Sequence, residues 1–254
     1  MNNENKVHVM TVDISIIIPC YNESDNVIPL VKALHTVLHD RQWEVIFVDD
    51  NSPDGTIHVV RKLAAHDQHV RGLLRIGRRG LSSAVIEGIL SSSAPLIAVM
   101  DGDLQHDETC LPIMIEALMK NTCDIIVASR HIEGGNSTGL ANKWRHFLSL
   151  QGIRIAKKLG APVNDPMSGF FAARRDWFEP IAPALRGRGF KILMETLLAA
   201  PKPIRVMETP MVFRERLHGE SKLGPYVMIE FILMVIENTF KKAWLCFTKN
   251  KHSS

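Results

Sequence analysis

What this chain lacks narrows the field before any motif is read. Its four cysteines, Cys20, Cys110, Cys123 and Cys246, show no C-x-x-C spacing. That sets aside the usual zinc and dithiol patterns and leaves reduced, mostly buried thiols of a reducing compartment. The polar stretch from Met1 to Val9 has none of the apolar character of a secretory signal. No run approaches the roughly 18 apolar residues of a membrane-spanning helix. The nearest, Phe231 to Ile236, is bracketed by Glu230 and Glu237, so any membrane contact is expected to be peripheral. Neither the dinucleotide fingerprint nor the P-loop pattern occurs. His106, His131 and His218 have no metal-binding spacing. A net charge of +3 is too small to argue for nucleic acid, and there is no internal repeat or low-complexity tract.

What is present is an ordinary globular composition: 254 residues, 46% hydrophobic and 22% charged. That length can bury a substantial core without disulfides. Ile14-Ser15-Ile16-Ile17-Ile18 is an almost wholly apolar β-branched run, the pattern of a strand buried on both faces. Helix and strand patterns then alternate: helix from Val27 to His39, strand from Val45 to Val48, helix from Ile57 to Ala65, strand from Gly72 to Ile76. A helix from Leu81 to Ser91, a strand from Leu96 to Met100, a helix from Leu111 to Met119 and a strand from Ile125 to Ser129 follow. Alternation of this kind predicts an α/β fold with a mostly parallel sheet flanked by helices. The second half is less regular. It offers helices near Trp144 to Leu159 and Ile192 to Leu198, an extended Phe170-Phe171-Ala172, and a last helix from about Pro225 to Phe247.

Polar clusters follow the apolar runs, and ligands of open α/β sheets bind at the carboxyl ends of the strands. The strongest cluster is Asp101-Gly102-Asp103-Leu104-Gln105-His106. Buried carboxylates at a strand end are costly unless charge is bound there, and Mg²⁺ or Mn²⁺ takes carboxylates together with substrate phosphates. Asp103 and Gln105 are read as metal ligands, aimed the same way by an extended segment. Asp101 reaches the nucleotide ribose or the metal shell; the plainer alternative is an acidic turn with an aspartate as helix cap. Asp50 is read as a nucleotide acceptor and Asp54 as a cap. Tyr21 can stack on or edge a base. Glu23 binds a ribose or base group, or serves the first turn of the next helix. Arg78 and Arg79 either steer a diphosphate or are solvated. Arg130 offers a phosphate-matching fork. Arg214, Arg216 and Lys222 frame a glycine-containing loop around His218.

Together these stretches resemble family-2 glycosyltransferases, in particular the dolichol-phosphate mannose synthases. The matches are Ile18 to Glu23, Val48 to Thr56, Gly80 to Ala84, Asp101 to His106, Ser129-Arg130 with Gly134-Gly135, Asp165 to Phe170, Gly189 to Leu193 with Glu195, and Arg216 to Lys222. The resemblance implies a nucleotide-diphospho-sugar transferase fold of the GT-A type, GDP-mannose as donor, dolichyl or another polyprenyl phosphate as acceptor, and inversion at the anomeric carbon. It implies that Pro19, Tyr21, Glu23, Val48 and Asp50 hold the nucleotide, and that Asp101, Gly102, Asp103 and Gln105 hold metal and diphosphate. It gives Arg130, Lys191, Arg216 and Lys222 the donor and acceptor phosphates. Asp107 departs from the pattern, standing where a proline often follows the histidine; His218 departs where a basic residue is common.

The chemistry expected centres on Asp103 and Arg130. An acceptor phosphate, largely ionised at neutral pH, attacks without a protein base. A transferase of another sugar, or one with a hydroxyl acceptor needing a carboxylate base, is the alternative. The catalytic domain is placed at 12–224. Residues 225–254 are read as an amphipathic helix and polar tail, with Glu230, Glu237 and Lys241 on one face. Such a helix either lies at a bilayer interface or packs on the catalytic domain. The expected place is the cytosolic face of a membrane, as a peripheral protein or with a small membrane subunit.

Overall fold

The computed structural model describes residues 12–136, 153, 157 and 160–215. Within them one seven-stranded sheet runs in the order β3-β2-β1-β4-β6-β5-β7. Its strands are β1 (Ile14–Cys20), β2 (Trp43–Asp49), β3 (Val70–Leu74), β4 (Leu96–Val99), β5 (Ile125–Ser129), β6 (Phe171–Arg174) and β7 (Val206–Pro210). The helices are α1 (Ser24–Val37), α2 (Thr56–Ala64), α3 (Leu81–Leu90), α4 (Cys110–Met119), the single turn α5 (Arg175–Phe178) and α6 (Ile192–Ala199). Every strand pairing is parallel except those of β6, which runs antiparallel between β4 and β5.

The period-two pattern of the central strands divides the core into two layers. Ile14, Ile16 and Ile18 face one side with Val45 and Phe47, beneath Leu30 and Leu34 of α1, Val60 of α2 and Met114 of α4. Ile17, Ile46, Val48, Ile97 and Val99 face the other, beneath Val85 and Ile89 of α3 and Leu193 and Leu197 of α6. Burying each such aliphatic side chain stabilises the fold by roughly 1.5–3 kcal/mol. Helix α3 lies unusually close to the sheet. A β-carbon at Gly88 would stand 2.5 Å from Ile17 Cγ2 and 2.8 Å from Val48 Cγ2, so only glycine permits this packing.

Two features were not anticipated. β7 carries no clear hydrophobic alternation because it is an edge strand, half-exposed along its length and ending in Pro210. The expected extended segment at Phe170 proves to be a strand inserted against the prevailing direction. Ser168 leads into it: its Oγ donates to Ala128 O at 2.8 Å and accepts from Phe170 N–H at 3.1 Å. Cys20, Cys110 and Cys123 are buried free thiols, and burial pushes Cys110 up to about 12. The helix expected near Trp144, the loop around His218 and the helix from Pro225 lie outside the described residues, apart from Ile153 and Lys157 of the first.

Candidate active site

Because β1, β2, β4 and β5 run the same way, their carboxyl ends share one rim. Tyr21 and Glu23, Asp50, Asp101 to Gln105, and Arg130 therefore meet there. The reversed β6 brings its leading residue, Gly169, to the same rim. A β-carbon on Gly169 would lie 3.0 Å from Asp101 Oδ2 and 3.1 Å from His106 Cε1; the missing methyl makes room for that carboxylate.

The 101–106 loop does not run extended, contrary to what the two-residue spacing of Asp103 and Gln105 suggests. Leu104 holds a left-handed φ of 62°, costly for a residue with a branched side chain. The chain turns back there, so that Gln105 N–H donates to Asp103 Oδ1 at 3.2 Å. Proximity of Asp103 and Gln105 thus comes from a tight turn rather than strand alternation. Both side chains are buried, and Asp101 is partly exposed. Gln105 Nε2 donates to Arg214 O at 3.0 Å, so of the two amide atoms Oε1 is the one that could meet a cation. His106 is a buried organiser. Its Nδ1 accepts from Asp101 N–H at 3.0 Å, its Nε2 is 3.7 Å from Asp101 Oδ2, and its ring stacks on Phe170 at 5.4 Å.

Among the described residues no three His, Cys, Asp or Glu side chains could enclose a metal. Two carboxylates and an amide oxygen are instead an incomplete set of hard donors. Such a set fits an ion whose remaining ligands are water and diphosphate oxygens, as is usual for Mg²⁺.

The remaining expected residues have specific partners. Asp50 is tied on both oxygens: Arg75 Nη1 donates to Oδ1 at 2.7 Å and Gly80 N–H to Oδ2 at 2.8 Å. Burial pushes its carboxyl up, more than Gly80 and Arg75 pull it down. Arg75 is itself fully buried, also donating to Gly80 O and Ser83 Oγ and lying 3.3 Å from Glu87. Nothing local in the sequence signalled it. The Arg79 guanidinium covers one face of Tyr21 at 4.2 Å, while Arg78 pairs with Glu87 in solvent. Glu23 Oε2 accepts from Asn26 Nδ2 at 2.7 Å in the first turn of α1. Asp54 accepts from Ser24 N–H and from Thr56 N–H and Oγ, tying the starts of α1 and α2 together. Val48 is wholly buried under α3, so only its main chain faces the rim. Pro19, the penultimate residue of β1, is partly buried, and Gly102 packs against Ile18. Lys191 opens α6 with Nζ 4.2 Å from the Phe190 ring centre, and Gly189 O receives Ser82 N–H of α3.

Arg130 is held by Asp165, which the sequence marks only as the start of a longer matching stretch. Its Nε and Nη2 donate to Asp165 at 2.7 and 2.9 Å, and its main-chain N–H donates to the same carboxylate at 3.2 Å. Glu208 of β7 fixes the Asp165 loop, accepting from Asn164 N–H and Nδ2 and from Asp165 N–H. Burial raises the Asp165 carboxyl, but the Arg130 hydrogen bonds and charge outweigh it and hold the group below its ordinary value. Arg214 pairs with Asp107 and Glu108 at 2.8 and 2.7 Å, so it is not an unengaged member of a basic loop. Arg216 and Lys222 lie outside the described residues.

Residues 15–181 match the family described as Glycosyl transferase family 2. The chain belongs to that family. The dolichol-phosphate mannosyltransferase of Saccharomyces cerevisiae is 34% identical over 239 residues, covering 90% of this chain and 87% of the yeast protein. That of Pyrococcus furiosus is 37% identical over 225 residues, covering 86% of this chain but only 61% of the archaeal protein. A solved mannosyltransferase of Pyrobaculum calidifontis, in complex with GDP-Man and Mn²⁺, superposes with a TM-score of 0.60 at 19% identity, covering 91% of this chain and 64% of that one. At that identity the likeness speaks for the fold, which is the GT-A type expected.

Proposed function

We propose that this family-2 glycosyltransferase moves mannose from GDP-mannose onto a dolichyl or other polyprenyl phosphate, with inversion and with the help of Mg²⁺ or Mn²⁺. The observation that carries the reading is the shared rim. It gathers hard oxygen donors at Asp101, Asp103 and Gln105 beside an anchored guanidinium at Arg130, in a chain related to dolichol-phosphate mannosyltransferases.

Asp103 and Gln105 would hold the divalent ion, which when bound supplies positive charge to the departing diphosphate. Asp101, kept in place by His106 and Gly169, takes the ribose or the metal's outer shell. Pro19, Tyr21, Glu23, Val48 and Asp50 form the nucleotide end, with Asp50 acting through Arg75 and the Gly80 loop. Arg130 directs its remaining donors at a phosphate, and Lys191 adds charge from the start of α6; the resemblance adds Arg216 and Lys222. The acceptor phosphate monoester has a second pKa of about 6, so it attacks the anomeric carbon as an anion and leaves the protein the tasks of alignment and charge stabilisation.

No helix among the described residues is long and apolar enough to cross a membrane. We propose that the lipid acceptor is met peripherally, at a cytosolic membrane face, through residues 225–254 or a small membrane subunit. Deleting 225–254 should lower liposome binding and activity on long-chain acceptor while sparing a short, water-soluble one.

The deciding experiment incubates purified full-length protein with a panel of nucleotide sugars, Mg²⁺ or Mn²⁺, and polyprenyl phosphate or polyprenol. Mannosyl transfer from GDP-mannose to the phosphate alone supports the reading. Transfer to the alcohol, or preference for another sugar, replaces it with the hydroxyl-acceptor or other-sugar alternative.

A further inference from the structure

The segment following β7 is stitched to the 101–108 loop residue by residue. Arg214 N–H donates to Gln105 O at 2.8 Å, and Gln105 Nε2 donates back to Arg214 O at 3.0 Å. The Phe213 ring lies 5.6 Å from His106 and 5.3 Å from the Arg130 guanidinium. The Arg214 side chain then forks, Nη2 to Asp107 Oδ1 at 2.8 Å and Nη1 to Glu108 Oε2 at 2.7 Å. Asp107 Oδ1 also accepts from Thr109 N–H and Oγ at the start of α4. Two adjacent residues thus engage each of the four residues 105 to 108.

We propose that Arg214 is a positioning residue for the divalent ion, acting through Gln105. The inference rests on the reading of Asp103 and Gln105 as metal ligands. Gln105 sits on a left-handed turn at Leu104, and such a turn persists only where its surroundings over-determine it. Its Nε2 donates to the main-chain carbonyl of Arg214, which helps set the plane of the amide. That carbonyl belongs to a residue held at its main chain by the bond to Gln105 O and at its side chain by the fork onto two carboxylates exposed by only 17% and 12%. Exposed ion pairs contribute little, but two charge-assisted bonds onto largely buried carboxylates set a geometry as well as an energy.

The test measures Mn²⁺ binding by calorimetry in saturating GDP for the parent chain, Arg214→Ala, Arg214→Lys, Gln105→Ala and the double variant Gln105→Ala/Arg214→Ala, with a melting curve for each. Arg214→Ala should weaken Mn²⁺ by about tenfold, as loss of outer-shell partners typically does, while GDP affinity without metal stays unchanged. Lysine, able to keep one of the two pairs, should restore part of the loss. In the Gln105→Ala background, Arg214→Ala should cause no further loss. Unchanged Mn²⁺ affinity in Arg214→Ala overturns the inference alone. So does an equal loss in both backgrounds, or a loss of metal-free GDP affinity matching the loss for Mn²⁺. A parent chain that binds no Mn²⁺ with GDP overturns the reading of the metal site and the inference with it.

Discussion

Arg130 and Asp165, 35 residues apart in sequence, face one another as a two-pronged ion pair at the end of β5. The carboxylate is wholly buried and the guanidinium nearly so. Two prongs use Nε and Nη2, so the direction of the remaining Nη1 edge is set by Asp165 and, behind it, by Glu208. A buried pair of this kind is a poor source of net stability, since desolvating both charges offsets most of their attraction. Its use is directional: it holds a phosphate-matching group still at the rim where the other candidate ligands converge.

Removing the carboxylate charge while keeping its shape tests that directional role. Asp165→Asn should destabilise the fold by about 3–5 kcal/mol, the usual cost of leaving one buried charge unpaired, and should lower transfer further than the residual folded fraction explains. Acid unfolding supplies a second measure. The folded carboxyl is held below its ordinary value of 3.8, so its stabilising contribution is present above that pH and is lost as pH falls through the folded value. The variant's acid-unfolding curve should lack that component. A variant with parental melting temperature and parental acid midpoint would show that the pair is not formed.

The metal site makes its own prediction. Asp103→Asn should lower the transfer rate by roughly 100-fold, about 2.7 kcal/mol of barrier, because one hard donor and one compensating charge go together. Chelator should silence the parent enzyme and either Mg²⁺ or Mn²⁺ should restore it, read by transfer of radiolabelled mannose. Undiminished transfer in chelator would sink the metal assignment.

How far these residues were legible in the sequence depends on where their partners lie. The runs Ile14 to Ile18 and Val45 to Val48 declare themselves as central strands, because burial on both faces demands unbroken β-branched residues. The polar residues that follow them are then placed at one rim by topology alone. β7 is silent because an edge strand needs no such run. The reversal of β6 is silent because a period of two carries no direction. Arg75 and Glu208 go unmarked, and Asp165 is marked only within a matching stretch, for one physical reason: a buried polar group is defined by its partner, and their partners stand 25, 44 and 35 residues away. The extended geometry expected of Asp103 and Gln105 breaks at one residue, Leu104, whose left-handed φ has no signature in the sequence.

Gly169 offers a test that leaves every charged group in place. In Gly169→Ala the new methyl meets both Asp101 oxygens at 3.0 and 3.2 Å and His106 Cε1 at 3.1 Å. The carboxylate can yield, but only by leaving the position His106 gives it. Little stability should be lost, under about 1.5 kcal/mol by analogy with mild overpacking. The KM for GDP-mannose should rise several-fold. A parental KM would mean that Asp101 does not contact the donor.

The acceptor's ionisation should be visible in the rate. If the attacking group is the phosphate dianion, with a second pKa of about 6, kcat/KM for polyprenyl phosphate should be flat above pH 7. It should fall close to tenfold per unit below about pH 5.5, where each unit removes nine-tenths of the dianion. The titration belongs to the lipid, so replacing Arg130 by lysine should lower the plateau without moving the break by more than a few tenths of a unit. The break should move up by the difference in pKa when a polyprenyl phosphonate, whose carbon-bound phosphorus gives it a higher second pKa, is the acceptor. Asp165 titrates below 3.8 in the folded chain, far from this window, so the Arg130 anchor stays charged throughout. A break that stays fixed when the acceptor's pKa is changed would instead identify a protein base and favour the hydroxyl-acceptor chemistry.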